Sequence, residues 1–388
     1  MSHTSTSLDG RPALHWRNIV AAASTVTIFG LALGLMFPLL SLLMEKNGVS
    51  AEMIGYCTGL QPVGILLSGF IVPALVVRFG AKAVCIGAAM AASAIVLLYP
   101  VTPIFWTWFV LRFLQGLAVS MLFTISEAWI TEYAEGPYRG RIVAIYASVL
   151  AVSFGLGPAL IAVTGIDTAL PFVIGAAVLA AATLPVLAVR LDKPAHISAE
   201  GAGGARTILS FAPKAPVLLL AVAVFAVFDA AFLGFMPVYA LKKGLDQTEA
   251  ALTLSAMALG NVLLQFPIGW LADRYHKRTI MAVCGAVTAL FTLLLPVTMG
   301  TPAMWAILVI IGAASVGIYT IALTEVGERF SGADLVAGTA SFSTIWGAGA
   351  LVGALIAGWA FEWVGPDAFP IAIASVLVLF LVIAWLRE

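Results

Sequence analysis

The sequence predicts an all-α membrane protein with twelve transmembrane helices in two pseudo-symmetric six-helix bundles. Of the 388 residues, 62% are hydrophobic and only 10% are charged, whereas a soluble domain carries about 25% charged residues. Apolar runs recur along the chain, and each is close to the roughly 20 residues that a helix needs to cross a bilayer. The two halves of the chain also repeat one another.

The apolar segments begin and end at Pro, Gly and charged residues, which mark turns between helices. The first segment follows a polar tail, residues 1–17, and is too long for the apolar core of a signal peptide, so we expect it to be a retained span. The predicted segments are 18–44, 52–77, 80–100, 103–131, 140–164, 168–190, 215–241, 248–272, 279–298, 302–327, 334–361 and 366–386.

One polar stretch divides these segments into two sets of six. Residues 191–214 contain several charged side chains and the run Gly-Ala-Gly-Gly, a composition typical of a flexible linker. We therefore expect an N-terminal bundle, residues 18–190, then a cytoplasmic linker, then a C-terminal bundle, residues 215–388.

The positions of Lys and Arg predict which side of the membrane each connection faces, because cytoplasmic connections are enriched in these residues. With a cytoplasmic N-terminus, fifteen of the nineteen fall on the cytoplasmic side. Lys46, Lys242 and Lys243 fall outside, and Arg112 lies within a span. We expect a multi-pass protein with both termini in the cytoplasm.

The internal repeat relates each residue number in the first half to that number plus 196 in the second. Arg78, after the second segment, corresponds to Arg274 after the eighth, and Glu132, after the fourth, corresponds to Glu328 after the tenth. Two like halves around a central cavity are typical of secondary transporters.

Several stretches resemble signatures of the major facilitator superfamily, within it the bacterial small-molecule and drug-type carriers. Residues 269–278 (GWLADRYHKR) resemble the loop signature between the second and third helices of a half, with His276 where Gly is usual. Residues 77–82 (VRFGAK) are the first-half counterpart but lack the Asp. Residues 112–116 (RFLQG) match the Arg-x-x-Gln-Gly motif of the fourth span, and residues 155–158 (GLGP) resemble the core of an exporter signature in the fifth.

This resemblance implies a twelve-helix transporter of the bacterial inner membrane. It also implies a conformational role for residues at the cytoplasmic helix ends, where ion pairs hold a gate shut and their exchange biases an alternating equilibrium. The predicted gating residues are Arg78, Glu132, Arg139, Asp273, Arg274, Glu328, Arg329, Gly155, Gly157 and Pro158.

Four ionisable residues inside the segments form the predicted proton-coupling and substrate-binding set: Arg112, Glu127, Asp229 and Glu325. They fall on helices that line the cavity in the family. Intramembrane charges mark solute pathways, and an acid in a cavity can take up or release a proton as its surroundings change. Arg112 and Glu127 lie within about 60° of each other around an ideal helix. The alternatives are a permanent ion pair, such as Arg112 with Asp229, or a neutral hydrogen-bonded carboxyl.

A further set of residues is assigned to the substrate cavity from residue type and position. Aromatic rings bind apolar or cationic solutes, although they also serve packing, and amide side chains also bond neighbouring helices to one another. This set is Phe29, Phe37, Phe228, Phe232, Tyr319, Trp346, Gln115, Asn261 and Gln265.

Several functions are excluded by what the sequence lacks. It has no Gly-x-x-x-x-Gly-Lys-[Ser/Thr] phosphate loop, and its four histidines, all in tail or loop positions, form no metal cluster or nucleophile–base pair. Zero net charge leaves no basic stripe for nucleic acid. We expect no enzyme activity and no cofactor. The expected partners of this monomer are a small-molecule substrate, protons and the lipid bilayer.

The sequence favours proton-coupled export (antiport) of a small amphipathic or cationic organic compound. Three acids inside the spans outnumber one Arg there, and the fifth-span signature resembles that of exporters. One alternative is a proton symporter that imports a small anionic or zwitterionic metabolite, with Arg112 binding its carboxylate. Another is a membrane receptor that does not transport.

Overall fold

The computed structural model of the protein describes residues 16–102, 105–133, 139–189 and 211–386. Within these ranges twelve apolar helices are long enough to cross a membrane, which confirms the predicted number. The predicted tail and most of the predicted linker lie outside the described residues. The helices are α1 (Trp16–Lys46), α2 (Ala51–Phe79), α3 (Ala81–Leu98), α4 (Phe105–Tyr133), α5 (Arg139–Thr164), α6 (Leu170–Ala181), α7 (Pro216–Lys242), α8 (Gln247–Arg274), α9 (Lys277–Thr298), α10 (Ala303–Arg329), α11 (Gly332–Trp363) and α12 (Ala368–Leu386).

The sixth predicted segment is not one continuous helix. α6 ends at Ala181, and helix resumes only for Leu184–Leu187. Pro185 accounts for the break, because proline has no N–H to donate to the carbonyl of Ala181. The hydroxyl of Thr183 donates to the carbonyl of Ala180 at 2.6 Å. The two pieces together still have the length of a span.

The internal repeat extends from two charged pairs to whole helices. Adding 196 to the bounds of α2, 51 and 79, gives 247 and 275, and α8 runs from 247 to 274. The bounds of α4, 105 and 133, become 301 and 329, and α10 runs from 303 to 329. The two halves therefore share one helix plan.

The repeat also extends to the closest contacts between helices. α2 and α4 cross at Gly64 and Gly116, and α8 and α10 cross at Gly260 and Gly312, the equivalent positions of the second half. A Cβ atom added to any of these glycines would lie 1.9–2.2 Å from a carbonyl oxygen of the facing helix. Helix backbones inside membranes approach this closely only where both side chains are small.

The two halves meet at one end of the molecule, called here the closed end, which contains the connections 47–50, 165–169, 243–246 and 364–367. A Cβ atom on Gly358 of α11 would lie 2.8 Å from the carbonyl oxygen of Ala51 at the start of α2. The Ala51 amide donates to Glu362 Oε2 at 2.7 Å. Lys242 of α7 forms an ion pair with Glu45 of α1.

The opposite end, called here the open end, contains the connections around residues 80, 275–276 and 330–331. The ion pairs of Lys277 with Glu328 and of Arg278 with Glu325 join helices of the C-terminal half to each other. Lys82 donates to the carbonyl of Val189 within the N-terminal half, at 2.6 Å. These contacts strengthen each half without joining the two.

We expect Gly64→Ala and Gly260→Ala to destabilise the protein by similar amounts, about 1–3 kcal/mol, because each places a methyl group against a backbone oxygen. The measurement is the midpoint of thermal unfolding in detergent. Gly87→Ala on α3 is the control, since a Cβ there meets nothing within 4 Å and alanine favours helix. A loss at only one of the two crossings would contradict their equivalence.

Candidate functional site

Glu127 lies on the face of α4 that is open to the space between the two halves. Its side chain is exposed although it sits deep in a helix bundle, as expected for a residue in a cleft. Tyr146 of α5 and Tyr319 of α10 lie within electrostatic range of its carboxylate. Because α5 and α10 belong to different halves, Glu127 lies in a cleft between them.

Asp229 lies on α7, one turn beyond Phe225. Its side chain is partly exposed, and no hydrogen bond or ion pair engages its carboxylate within the described ranges. The ring of Phe225 packs on that of Tyr319, with 5.2 Å between centroids. The α7 face that carries Asp229 therefore lies beside the α10 residue that is also near Glu127.

Two aromatic pairs on the walls of this cleft are related by the repeat. Phe29 of α1 packs on Phe123 of α4, with centroids 4.6 Å apart and planes at 34°. Adding 196 to both numbers gives Phe225 and Tyr319, whose planes meet at 30°. Sequence analysis named Phe29 and Tyr319 but missed Phe123 and Phe225. The offset of the repeat would have found both, because each is the counterpart of a named ring in the other half.

The two acids, unlike the rings, have no equivalent residue type at the matching position of the other half. The counterpart of Glu127 is Leu323, and the counterpart of Asp229 is Leu33. Each half folds around an apolar residue where the other carries a carboxylate. The shared helix plan of the two halves therefore does not require a carboxylate at either position.

Arg112 lies outside the cleft, fully buried within the N-terminal half. Its guanidinium lies 4.6 Å from the ring centroid of Phe37, and its Nη1 donates to Gln61 Oε1 at 2.5 Å. The α4 face that is open at Glu127 is covered at Arg112 by α1 and α2, because the helices converge towards the closed end. The ion pairs among the described residues do not join Arg112 to Asp229.

Glu325 belongs to an ion-pair network of the C-terminal half at the open end. Its Oε1 accepts from Arg329 Nη1 at 2.9 Å and lies 3.5 Å from Arg278 Nε. Glu328 pairs with Lys277 at 2.7 Å in the same network. This position favours a conformational role for Glu325 over the coupling role expected from its depth in the helix.

The other charged residues of the predicted gating set lie at helix ends on the open side. The guanidinium of Arg274 stacks on Trp270, 4.0 Å from its centroid, and that of Arg78 lies 5.1 Å from the ring of Phe79. Asp273 is exposed, Glu132 is half-buried near the end of α4, and the side chain of Arg139 is outside the described residues.

The fifth-span motif has two packing surfaces. The carbonyl of Gly155 accepts from the Ser255 hydroxyl of α8 at 3.0 Å, a contact between halves. A Cβ atom on Gly157 would lie 2.2 Å from the backbone nitrogen of Leu35, so this glycine permits α1 and α5 to cross. Pro158 lies inside α5, one residue further on.

The remaining predicted cavity residues are divided between packed side chains and partly exposed ones. Gln265 donates to the carbonyl of Ala313 at 3.0 Å and so joins α8 to α10. Phe228 and Phe232 are buried and stacked, 4.1 Å apart. Gln115 and Phe37 lie with Arg112, whereas Asn261 and Trp346 are partly exposed on α8 and α11.

A cleft between two repeated bundles, closed at one end and containing two acids, is the arrangement of a secondary transporter. The profile described as Major Facilitator Superfamily matches residues 22–258 and 218–388. The chain therefore belongs to this superfamily and is a transporter rather than an enzyme.

Similar proteins agree with this assignment. The Bacillus subtilis (strain 168) protein "Uncharacterized MFS-type transporter YfkF" is 27% identical over 86% of both chains. The Escherichia coli (strain SE11) protein "Uncharacterized MFS-type transporter YcaD" is 24% identical over 94% of both. The crystal structure of a mutant of the nucleoside transporter NupG matches with a TM-score of 0.80, over 95% of this chain and 99% of that one. A second crystal structure of NupG matches with a TM-score of 0.71, over 95% of this chain and 97% of that one. At 14% identity this likeness concerns the fold.

We expect Glu325→Gln to destabilise the protein by about 1–3 kcal/mol, because it leaves Arg278 and Arg329 without their shared, largely buried carboxylate. Glu328→Gln is the matched control: its carboxylate is exposed and has one partner, so the loss should stay below about 1 kcal/mol. Thermal unfolding of both variants in detergent measures the difference. Equal losses would show that the network does not depend on Glu325.

Proposed function

We propose that this transporter exports a small amphipathic or cationic organic compound in exchange for protons. The observation that carries the proposal is the presence of two acids, Glu127 and Asp229, on faces that meet the cleft beside aromatic rings. Arg112 is sealed within one half, so the ionisable groups that we assign to the cleft are acids. Carboxylates next to aromatic faces favour an organic cation, since both attract positive charge.

Competition between a proton and a cation for the same carboxylates would couple the two flows. A protonated acid binds a cation weakly, and a bound cation disfavours protonation. Each carboxyl group is therefore either protonated, and binds the cation weakly, or ionised, and attracts the cation. Exchange follows when the cleft faces each side of the membrane in turn.

The sidedness of the proposal rests on the basic residues. Arg78, Lys82, Arg274 and Lys277 lie at the open end, whereas Lys46, Lys242 and Lys243 lie at the closed end. On the positive-inside rule we assign the open end to the cytoplasmic side. In this conformation substrate enters from the cytoplasm while protons leave the acids.

The opposite conformation requires the closed end to separate and the open end to close. The contacts of Gly358 with α2 and of Glu362 with the Ala51 amide would break. Charged residues at the open end would then face the opposite half. A ligand shifts this equilibrium only by the difference in its affinity for the two states.

We expect Glu127→Gln and Asp229→Asn each to reduce transport driven by a pH gradient about tenfold or more. This is a size typical of losing the coupling free energy between two bound ligands, here the proton and the substrate. The assay is proteoliposome uptake of a fluorescent organic cation such as ethidium, with the gradient imposed in either direction. Asp167→Asn is the control, because Asp167 forms an exposed ion pair with Lys46 in a closed-end connection.

The direction of coupling decides between the hypotheses. Solute movement against the proton flow supports antiport, and movement of an anionic metabolite with the protons would establish the symport alternative. No solute movement, together with unchanged ligand binding in both acid variants, would indicate a receptor that does not transport.

We expect Phe123→Leu and Tyr319→Leu, at the partly exposed rings of the two pairs, each to weaken binding of a planar organic cation by about 5- to 30-fold, the loss of a desolvated cation–π contact. Phe291→Leu on α9 is the control, because α9 packs within its own half. The measurement is the ligand-induced rise of the unfolding midpoint at two pH values. Weakening by the control alone would place the ligand elsewhere.

A further inference from the structure

A cluster of polar side chains is buried beneath Phe37 in the N-terminal half. It consists of Arg112 and Gln115 of α4, Gln61 of α2, and Tyr99 in the turn after α3, and each is at most 1% exposed. Arg112 Nη1 donates to Gln61 Oε1 at 2.5 Å, and the Tyr99 hydroxyl donates to Gln115 Oε1 at 3.2 Å. Both amide oxygens are therefore already accepting hydrogen bonds.

The atoms left over in this cluster are donors. Arg112 Nε and Nη2, Gln61 Nε2 and Gln115 Nε2 are buried and have no hydrogen-bond partner in the described part of the chain. A buried donor without a partner is destabilising, and more so when it is charged. Turning the Gln61 amide over does not help, because its NH₂ group would then face the guanidinium. Arginine has five N–H donors and no acceptor, so the excess of donors follows from the residue types.

The charge of Arg112 is also unbalanced. Its titratable neighbours are the thiol of Cys57, whose sulfur is a weak acceptor within hydrogen-bonding reach of the guanidinium, and the phenol of Tyr99, and neither is a carboxylate. The ring of Phe37 attracts the guanidinium through a cation–π contact but supplies no hydrogen-bond acceptor. A buried charge without a counter-charge is strongly destabilising, because nothing replaces the hydration that the charge loses on burial.

We propose that this cluster binds a small monovalent anion of about the size of chloride, held as the counter-ion of Arg112. The anion accepts hydrogen bonds from the four donor atoms and neutralises the guanidinium. Complete burial under Phe37 restricts the ligand to a small ion. The site is separate from the cleft of Glu127 and Asp229, and the inference does not depend on the transport proposed above.

The position of the site connects it with the closed end. Arg112 lies seven residues, roughly 10 Å, from the start of α4, and its contacts come from α1, α2 and α4. The anion therefore holds together three helices near the closed end.

The first test is the unfolding midpoint of the purified protein at constant ionic strength, with gluconate replaced stepwise by chloride. We expect a rise of a few degrees that saturates with chloride, as for any ligand that binds the folded state. Crystals grown in bromide should show an anomalous peak beside Arg112. Identical midpoints in the two salts, with no bromide peak, would overturn the proposal.

The second test supplies the negative charge within the chain. Gln61→Glu places a carboxylate where the amide oxygen already accepts from Arg112, so we expect the chloride response to disappear while the midpoint stays at or above that of the wild type in chloride. Arg112→Met should also lose the response, and Arg278→Met, whose guanidinium is partly exposed at the open end, should keep it. A chloride response retained by Gln61→Glu would contradict the assignment. This variant and the bromide experiment decide the matter if Arg112→Met does not fold.

Discussion

An ionised side chain inside an apolar helix bundle must be hydrated or paired, and this constraint sorts the four ionisable residues of the spans into different roles. Glu127 is exposed in the cleft, and Asp229 is partly so. Glu325 is buried but engaged by two guanidinium groups. Arg112 is buried with neutral side chains around it, which is why we assign it an anion. The depth of a residue along its helix does not distinguish these roles. The surroundings of its charged group do: solvent, an opposite charge, or neutral side chains.

Glycine crossings give each half the rigidity that alternating access needs. At Gly64 with Gly116, and at Gly260 with Gly312, the backbones are so close that no side chain separates them. Interfaces packed this tightly resist sliding, so α2 with α4 and α8 with α10 move as units. The contact at Gly358 is also close, but it joins α11 of the C-terminal half to α2 of the N-terminal half, so it can break without disturbing the packing inside either half. Movement between states is therefore expected at the contacts between halves and not within them.

The sequence predicted the architecture well because composition and spacing are physical constraints in a membrane. The twelve segments, the internal repeat and the family all followed from the pattern. Pro185 alone shows how a local rule, the missing N–H, alters a helix that hydropathy treats as continuous. The site was harder to predict. Arg112 and Glu127 share a face of an ideal helix, but only the packing of α1 and α2 shows that this face is covered at one residue and open at the other.

The contrast between rings and acids explains how a symmetric fold can give a directional process. The pairs of Phe29 with Phe123 and of Phe225 with Tyr319 have similar geometry in the two halves, 34° and 30° between ring planes. Rocking two equivalent walls does not by itself favour either direction. The acids differ between halves, because leucine stands at the position equivalent to each carboxylate. In the exchange that we propose, their proton affinities would change differently as each half moves relative to solvent, and a proton gradient would act on this difference.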